Sequence, residues 1–367
     1  MDDSHKHPDL PDSLAPSPRA TADLMGHEAA ENLFLDAAAA GRIAGAWLIA
    51  GPQGIGKASL AFRLARFLFA GGAGQDLFGA PQSLAVGEAD PVFHRVAAAS
   101  HGDLLTVERT VNQKTGKMRS EIVVEDVRRM APFFHQSAGE GGWRIAVIDG
   151  AELMNRSAAN AALKLIEEPP HHSLVLLVSH APSRLLPTIR SRCRTVPLQA
   201  LTVEQVVLLL ERYRPDLDAA DRVPLATLAD GSPGRALRLA ELGGLDLYRD
   251  LIGLLTKLPN LAPADVHRLA DRLAPVNNGM AFATTLELFR WWLARLVRQG
   301  AGGAALTPVV DEERGLLARL SALPDLERWL DVWEKVGRLQ ERAISVNLDR
   351  KQVVLSSLGA MENAARP

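Results

Sequence analysis

Short, mostly apolar runs alternate with amphipathic segments over about the first 200 residues of the chain. The runs lie at 47–50, 104–107, 144–149 and 174–179. Runs of this kind are typical of strands that are covered on both faces, as in a parallel sheet. A further run at 194–198 contains Pro197, which cannot donate a ladder hydrogen bond and favours a strand end or a sheet edge. The pattern predicts a five-stranded parallel sheet.

Segments with the helical period separate these strands and take over after about residue 200. The predicted helices lie at 21–40, 60–68, 127–131, 155–168, 202–213, 223–229 and 233–242, with more helices beyond. The stretch at 71–100 is rich in Gly, Ala and Pro and predicts a loop or an eroded insertion. We predict a disordered, proline-rich tail at 1–20, an α/β domain at 21–199 and helical domains at 200–245 and 246–367.

The connection after the first predicted strand carries the clearest chemical signal. It has the spacing G-x-x-x-x-G-K and contains Gly51, Gly54, Gly56 and Lys57. Backbone N–H groups of such a loop cradle phosphate oxygens, the lysine reaches the β and γ phosphates, and the next helix adds its dipole. The following position, where a Ser or Thr hydroxyl would bind Mg²⁺, is Ala58. Ser59 is a poor substitute, because one helical step turns it about 100° away.

An acid closes the third predicted strand. Asp149 stands where α/β folds with a phosphate loop hold the nucleotide's Mg²⁺. The next residue is Gly150, so no second side chain can polarise an attacking water there. Glu152 is interpreted as part of the solvated face of the following helix. Together these residues predict a degenerate site that suits ATP or ADP but lacks groups that hydrolysis needs.

Composition limits the partners and ligands. A net charge of −2 and a pI near 6.6 require any DNA contact to be local or delegated to a partner. The single Cys193 excludes a cysteine-cluster zinc site and suits a reducing cytosol. His94 and His101 are interpreted as surface residues. Because the N-terminus does not resemble a signal peptide, we predict a cytoplasmic protein. We predict no zinc, because the chain has a single cysteine.

Ordered motifs narrow the function. The string GPQGIGKASLA resembles the Walker A segment of clamp-loader subunits, and 143–170 resembles their Walker B segment and the helix after it. TIRSRC at 188–193 is similar to their Ser-Arg-Cys motif, DGSPGRAL at 230–237 to their sensor 2 segment, and NLDRKQ at 347–352 to part of their collar. The chain therefore resembles the clamp-loader subunits of bacterial DNA polymerase III, which are AAA+ proteins.

The resemblance implies a role for individual residues. It is strongest to the delta-prime branch of the family, because Ala58 and Gly150 replace residues that the motor subunits carry. It implies that Arg192 is an arginine finger for the ATP site of a neighbouring subunit, whereas Arg190 and Arg194, in the same basic run, are as readily surface charges. The sensor 1 and sensor 2 positions fall on Ser179 and Arg235.

The same resemblance implies a lid at 200–245 and a collar at 246–367. The implied function is support of ATP-dependent loading of the sliding clamp. The partners would be the gamma/tau and delta subunits, and, through the complex, the clamp and primer-template DNA, with no membrane. The polymerase reaction, a nucleotidyl transfer, would belong to the holoenzyme. The zinc module of the family is not implied, because 71–100 has no cysteine.

Two alternatives remain open at this stage. The chain could be an active gamma/tau-like AAA+ motor, which would require Lys57 and Asp149 to support hydrolysis despite Ala58 and Gly150. It could also be a scaffold that does not depend on nucleotide, with Lys57 as a relic.

Overall fold

The computed structural model describes residues 17–72, 81–139, 142–303, 306–323, 325–345 and 348–366. The chain divides into two compact units. The first contains the described residues up to Leu209 together with Asp230–Arg235, and the second contains Leu210–Ala229 and the described residues from Ala236 onward. Most of the predicted tail at 1–20 lies outside the described residues. The separation of a lid at 200–245 from a collar at 246–367 stays a prediction.

The first unit is built on a five-stranded sheet. Its strands are β1 Gly45–Ala50, β2 Leu104–Val107, β3 Arg144–Asp149, β4 Ser173–Ser179 and β5 Arg194–Pro197. All neighbours pair in parallel, in the order β2-β3-β4-β1-β5. The interior strands β1, β3 and β4 are almost wholly buried, which explains their continuous apolar sequences. The predicted parallel sheet and the edge position of Pro197 are confirmed.

Seven helices of the first unit accompany these strands within the described residues. They are α1 Glu28–Ala39, α2 Lys57–Phe69, α3 Pro91–Ala97, α4 Val124–Arg128, α5 Met130–His135, α6 Arg156–Glu167 and α7 Pro187–Arg190. The side-chain oxygen of Asn155 caps α6 by accepting the Ala158 N–H at 2.9 Å. Pro169 and Pro170 follow the end of α6 and prevent its continuation.

The first predicted helix was placed too early. It begins at Glu28 and not near Thr21, because the segment before it packs on α2 without helical structure. The guanidinium of Arg66 donates to the carbonyls of Arg19 and Thr21, both at 2.6 Å. These long-range hydrogen bonds replace the local ones of a helix.

The prediction of a loop at 71–100 was also incomplete. Residues 73–80 lie outside the described ranges, but α3 forms within the described part. Asp90 caps α3 by accepting the Val92 N–H at 2.7 Å, and Val92, Phe93 and Val96 are buried. The sequence signal was an N-cap acid followed by proline at the first helical position.

The two histidines near this helix differ. His94 is exposed, as predicted, whereas His101 is only 5% exposed and stacks on Phe69 with ring centroids 3.9 Å apart. The surface interpretation of His101 was therefore wrong, because the ring is buried against Phe69, the last residue of α2. In the parts of the chain that the structure describes, no group of His, Cys, Asp and Glu side chains is arranged to hold a metal ion.

The remaining chain is helical. Its helices are α8 Val203–Tyr213, α9 Ala219–Leu228, α10 Pro233–Glu241, α11 Gly244–Leu255, α12 Pro263–Leu273, α13 Gly279–Gly300, α14 Asp311–Ser321, α15 Leu326–Ser345 and α16 Arg350–Ala364. Trp292 and Trp329 are fully buried in the second unit. Arg295 and Glu313 form an ion pair there at 3.2 Å, with both side chains almost completely buried. Among the described helices none is long and apolar enough to span a bilayer.

Candidate functional site

The glycine loop between β1 and α2 has a shape that requires glycine. Gly51, Gly54 and Gly56 have φ values of +156°, +75° and +105°. A Cβ on Gly51 would lie 2.5 Å from the carbonyl oxygen of Leu198, which is backbone and cannot swing away. Gly56 caps the N-terminus of α2 in the left-handed conformation. The loop therefore has the glycine-dependent backbone that a phosphate cradle needs.

Lys57 is the first residue of α2 and is 5% exposed. Its ammonium donates to the carbonyl oxygen of Pro52 in the same loop. Burial lowers the pKa of Lys57 from 10.5 to about 8, and the negative charges of Glu152 and Asp149 only partly oppose this effect. A buried lysine in this state gains most from an anionic ligand, such as a phosphate group, that stabilises its protonated form.

Asp149 ends β3 close enough to Lys57 for their charges to interact. Its carboxyl is half-buried, and burial, followed by the charge of Glu108, raises its pKa above the ordinary value, while Lys57 acts in the opposite direction. Gly150 follows in the left-handed conformation, with φ +77° and ψ 49°. The strand thus brings one carboxylate to the loop and then turns through a position that disfavours any side chain.

The interpretation of Glu152 as a solvated residue was wrong. Its side chain has no exposed area, and its Oε1 lies 2.6 Å from Nδ1 of His180. The reason is that Gly150 leads into a 3₁₀ turn at Ala151–Leu153, and α6 begins only at Arg156. Glu152 therefore faces the interior beside the loop. It is a site residue that helix periodicity could not identify, because the helix had not yet begun.

Three further predicted site residues lie near the loop. Ala58 and Ser59 are half-buried in the first turn of α2, and Ser179 is fully buried at the end of β4. Ser179 is the register partner of Ala50, and its carbonyl accepts the Gly51 N–H at 3.2 Å. The Ser179 hydroxyl oxygen accepts the N–H of Ala181, also at 3.2 Å. Ser179 thus touches the start of the loop through its backbone.

The segment at 230–235 lies directly on the loop. Ser232 donates its hydroxyl to the Gln53 carbonyl at 2.8 Å, and the Gly234 N–H donates to the Gly54 carbonyl at 2.9 Å. The Ser232 oxygen also accepts the Arg235 N–H at 3.2 Å. Arg235 itself is half-buried. Sequence reasoning named Arg235 but missed Ser232 and Gly234, although both stand in the DGSPGRAL string.

The three arginines of the 190–194 run have different surroundings. Arg194 donates to the Arg42 carbonyl at 2.6 Å and lies over the Trp47 ring, so it serves its own domain. Arg190 is exposed and has no ion pair or side-chain hydrogen bond with the described residues. Arg192 is 42% exposed, and its Nε lies 2.6 Å from Oε1 of Glu167. Arg192 and Arg194 are both exposed and both held, but only Arg192 is held by a carboxylate, that of Glu167.

Comparison with known proteins supplies the family. A family model described as DNA polymerase III, delta subunit, matches residues 26–202. The DNA polymerase III subunit delta′ of Pseudomonas aeruginosa is 37% identical over 255 residues, which is 69% of this chain and 71% of that protein. The gamma/tau subunit of Mycobacterium tuberculosis is 29% identical over 95% of this chain, which spans 59% of that longer relative.

One solved structure has a title that also refers to DNA polymerase III, but its fold superposes poorly on this chain. A DNA polymerase III gamma subunit-related protein from Thermotoga maritima aligns with 88% of this chain and 96% of its own, at 17% identity and a TM-score of 0.37. That score is too low to carry the assignment, which stands on the sequence matches. By those matches, the chain belongs to the family of DNA polymerase III delta′ subunits.

Proposed function

We propose that this chain is a clamp-loader subunit that donates Arg192 to the ATP site of a neighbouring subunit and turns over little or no ATP itself. The observation that carries the proposal is a contrast within one unit. The glycine loop keeps its shape, but two side chains that hydrolysis would need are missing around it, at Ala58 and Gly150, whereas Arg192 is exposed and charged.

The conformation of Gly150 supports weak or absent hydrolysis. Its backbone is left-handed, and a Cβ there would lie 3.0 Å from Cδ1 of Leu153. A carboxylate-bearing residue would pay about 1 kcal/mol or more for that backbone conformation. The missing acid is therefore part of a local backbone arrangement, and a single replacement of the side chain would not recreate a catalytic site.

The chain's own site fits a nucleotide better than it fits a metal ion. The loop amides and Lys57 suit phosphate groups, with Ser179 and Arg235 as the assigned sensor residues. When bound, Mg²⁺ would neutralise phosphate charge, but of the usual protein ligands only Asp149 is present, because Ala58 has no hydroxyl. We infer that ATP or ADP binds weakly at this degenerate site. We propose no zinc site, because the chain has a single cysteine.

Arg192 suits the role of a finger by its chemistry. A guanidinium is always charged and presents several donors in a plane, so it can bind two oxygens of a phosphate at once. Arginine fingers supplied by a second protein accelerate phosphoryl transfer by roughly 10³-fold or more in other nucleotidases. An exposed finger on this chain would stabilise negative charge that develops on the γ-phosphate held by the neighbour.

The wider assembly follows from the family. We propose gamma/tau and delta subunits as direct partners, with the sliding clamp and primer-template DNA engaged through the complex in the cytoplasm. The segment at 200–245 would act as a lid and 246–367 as the collar that holds the ring. Because Arg192 would contact nucleotide in a neighbour, closing that interface and binding ATP there would stabilise each other.

The test is DNA- and clamp-stimulated ATP hydrolysis by the reconstituted loader. The complex should contain one motor subunit with an intact phosphate loop, namely the one beside this chain. We expect Arg192→Ala to lower the turnover at least about 100-fold, and Lys57→Ala to change it by less than about twofold. Arg190→Ala is the matched control, because Arg190 is exposed, lies in the same motif and has no described partner.

The competing functions give different results. If Lys57→Ala abolished turnover in a loader whose other phosphate loops are disabled, and Arg192→Ala did not, the chain would be a gamma/tau-like motor. The similarity to gamma/tau over 95% of the chain makes this the alternative to exclude. Isothermal calorimetry on the purified chain tests the third alternative, a scaffold that does not depend on nucleotide. If that alternative holds, the chain should not bind ATP even at millimolar concentration.

A further inference from the structure

The side chain of Arg192 is held at two points of its own domain. Its Nε lies 2.6 Å from Oε1 of Glu167, and its Nη1 donates to the Thr188 carbonyl at 3.2 Å. Among the described residues, no side chain or carbonyl accepts a hydrogen bond from Nη2. The guanidinium is therefore held at Nε and at Nη1, on opposite sides of the group, and Nη2 is left for an external oxygen.

Helix stability does not explain the position of Glu167. It is the last residue of α6, where the helix dipole places partial negative charge and an acidic side chain is unfavourable. The Glu167 carboxylate is 43% exposed and Arg192 is the only ion-pair partner recorded for it in the described residues. We therefore look for the role of Glu167 in what its carboxylate does to the Arg192 side chain.

The backbone that carries Arg192 is itself fixed. The Arg192 N–H donates to the Ile189 carbonyl at 3.1 Å, and Ile189 is fully buried in the core beside α6. The neighbouring Cys193 packs against the same core, and burial raises its pKa to about 12. Glu167 thus holds the mobile end of a side chain whose base is already anchored.

We propose that Glu167 is a positioning residue for Arg192, holding its guanidinium so that Nη2 meets the γ-phosphate of the neighbouring subunit. The inference rests on the proposed function and adds a second residue to it. An exposed ion pair contributes little to folding, so loss of Glu167 should affect the geometry of the finger and not the stability of the domain. Misplacing a catalytic group by about 1 Å can cost up to roughly 100-fold in rate.

The experiment uses the same reconstituted loader with one working motor site. We expect Glu167→Ala to lower kcat about tenfold with the KM for ATP unchanged within about twofold. Glu167→Gln should lower kcat less than Glu167→Ala, because it keeps the polar oxygen and the size of the side chain and removes only the charge. Glu168→Ala is the matched control, since Glu168 is the exposed neighbour. In the Arg192→Ala background, Glu167→Ala should have no further effect.

The outcomes separate this inference from the proposed function. If Arg192→Ala leaves turnover unchanged, the proposed function fails, and this inference fails with it. If Arg192→Ala lowers turnover and Glu167→Ala does not, only the positioning role is overturned. A loss with Glu167→Ala that persists in the Arg192→Ala background, or that is accompanied by weaker assembly in analytical ultracentrifugation, also overturns it, because the effect would then be structural.

Discussion

The glycine loop at 51–57 and the turn that carries Arg192 lie in the same α/β unit but are built in opposite ways. The loop is braced by hydrogen bonds from Ser232 and Gly234, and two of its side chains, Ile55 and Lys57, are buried. The Arg192 side chain is exposed and is held by one ion pair and one hydrogen bond. The glycine loop is therefore constrained by many contacts with the rest of the domain, whereas the Arg192 side chain is constrained by two.

The difference bears on what each region says about function. The fold needs the loop, because β1, α2 and the 230–235 segment all meet there, so its shape persists even where a reactive group is absent. The Arg192 side chain is exposed, and an exposed ion pair contributes little to folding. A charged group that contributes little to its own domain, yet is held in place, is better explained by something outside the chain.

The largest effect should follow a change in the loop backbone. We expect Gly51→Ala to destabilise the chain by about 3 kcal/mol, because the added methyl meets the Leu198 carbonyl at 2.5 Å and the backbone must shift. Gly41→Ala is the matched control: its φ is also positive, at +64°, but a Cβ there meets nothing within 4 Å. It should cost only about 1 kcal/mol. Urea unfolding monitored by circular dichroism measures both, and equal losses would refute the packing argument.

A smaller effect should follow removal of the brace. Ser232→Ala deletes the hydroxyl that donates to the Gln53 carbonyl and accepts the Arg235 N–H. Leaving these groups unpaired should cost about 1–2 kcal/mol in the free energy of unfolding. Because the loop is then held less firmly, the affinity for ATP should also fall. Ser191→Ala, which removes an exposed hydroxyl far along the sequence from the loop, should change neither quantity.

The pH dependence of nucleotide binding should reveal the state of Lys57. Since burial lowers its pKa to about 8, Lys57 loses its charge as the pH rises through 8. The affinity for ATP should then fall by up to about tenfold between pH 7 and pH 9. Lys57→Arg should remove this dependence, because a guanidinium stays charged. Calorimetric titrations across the range measure it, and a flat wild-type profile would contradict the role of Lys57.

The free energy of unfolding of the unliganded chain should change with pH in the direction opposite to the affinity for ATP. The folded pKa of Lys57, about 8, lies below the ordinary value of 10.5, so the unfolded chain binds more protons between these pH values. Stability should therefore rise as the pH increases through this window. Lys57→Met should remove the contribution of this group. The opposite signs for binding and for folding distinguish a phosphate-binding lysine from a merely buried one.

Much of the first unit could be predicted from the sequence because its strands are apolar on both faces. The runs at 144–149 and 174–179 coincide with β3 and β4 to within one residue. The edge strand β5 was signalled by Pro197. These patterns can be seen in a short piece of sequence, because a strand that is buried on both faces is apolar along its whole length whatever its individual contacts are.

The errors share a different cause. Residues 17–27, His101 and Glu152 take their positions from partners far away in the sequence or from a backbone turn at Gly150, and no periodicity records these. The contact of Ser232 with Gln53 joins residues 179 positions apart. The sequence motif identified the segment but not its contact. The roles of the site residues, Arg192 above all, remain predictions that biochemistry must test.

The smallest effect concerns the missing hydroxyl. Ala58→Thr would restore a metal ligand next to Lys57, and we expect the affinity for ATP in the presence of Mg²⁺ to rise by about two- to fivefold, with no change in its absence. Hydrolysis by the purified chain should not appear, because Gly150 supplies no carboxylate and its left-handed backbone disfavours one. Ser59→Thr is the control one helical step away. If Ala58→Thr alone produced turnover, the loop would have kept catalytic competence as well as shape, and its contrast with Arg192 would disappear.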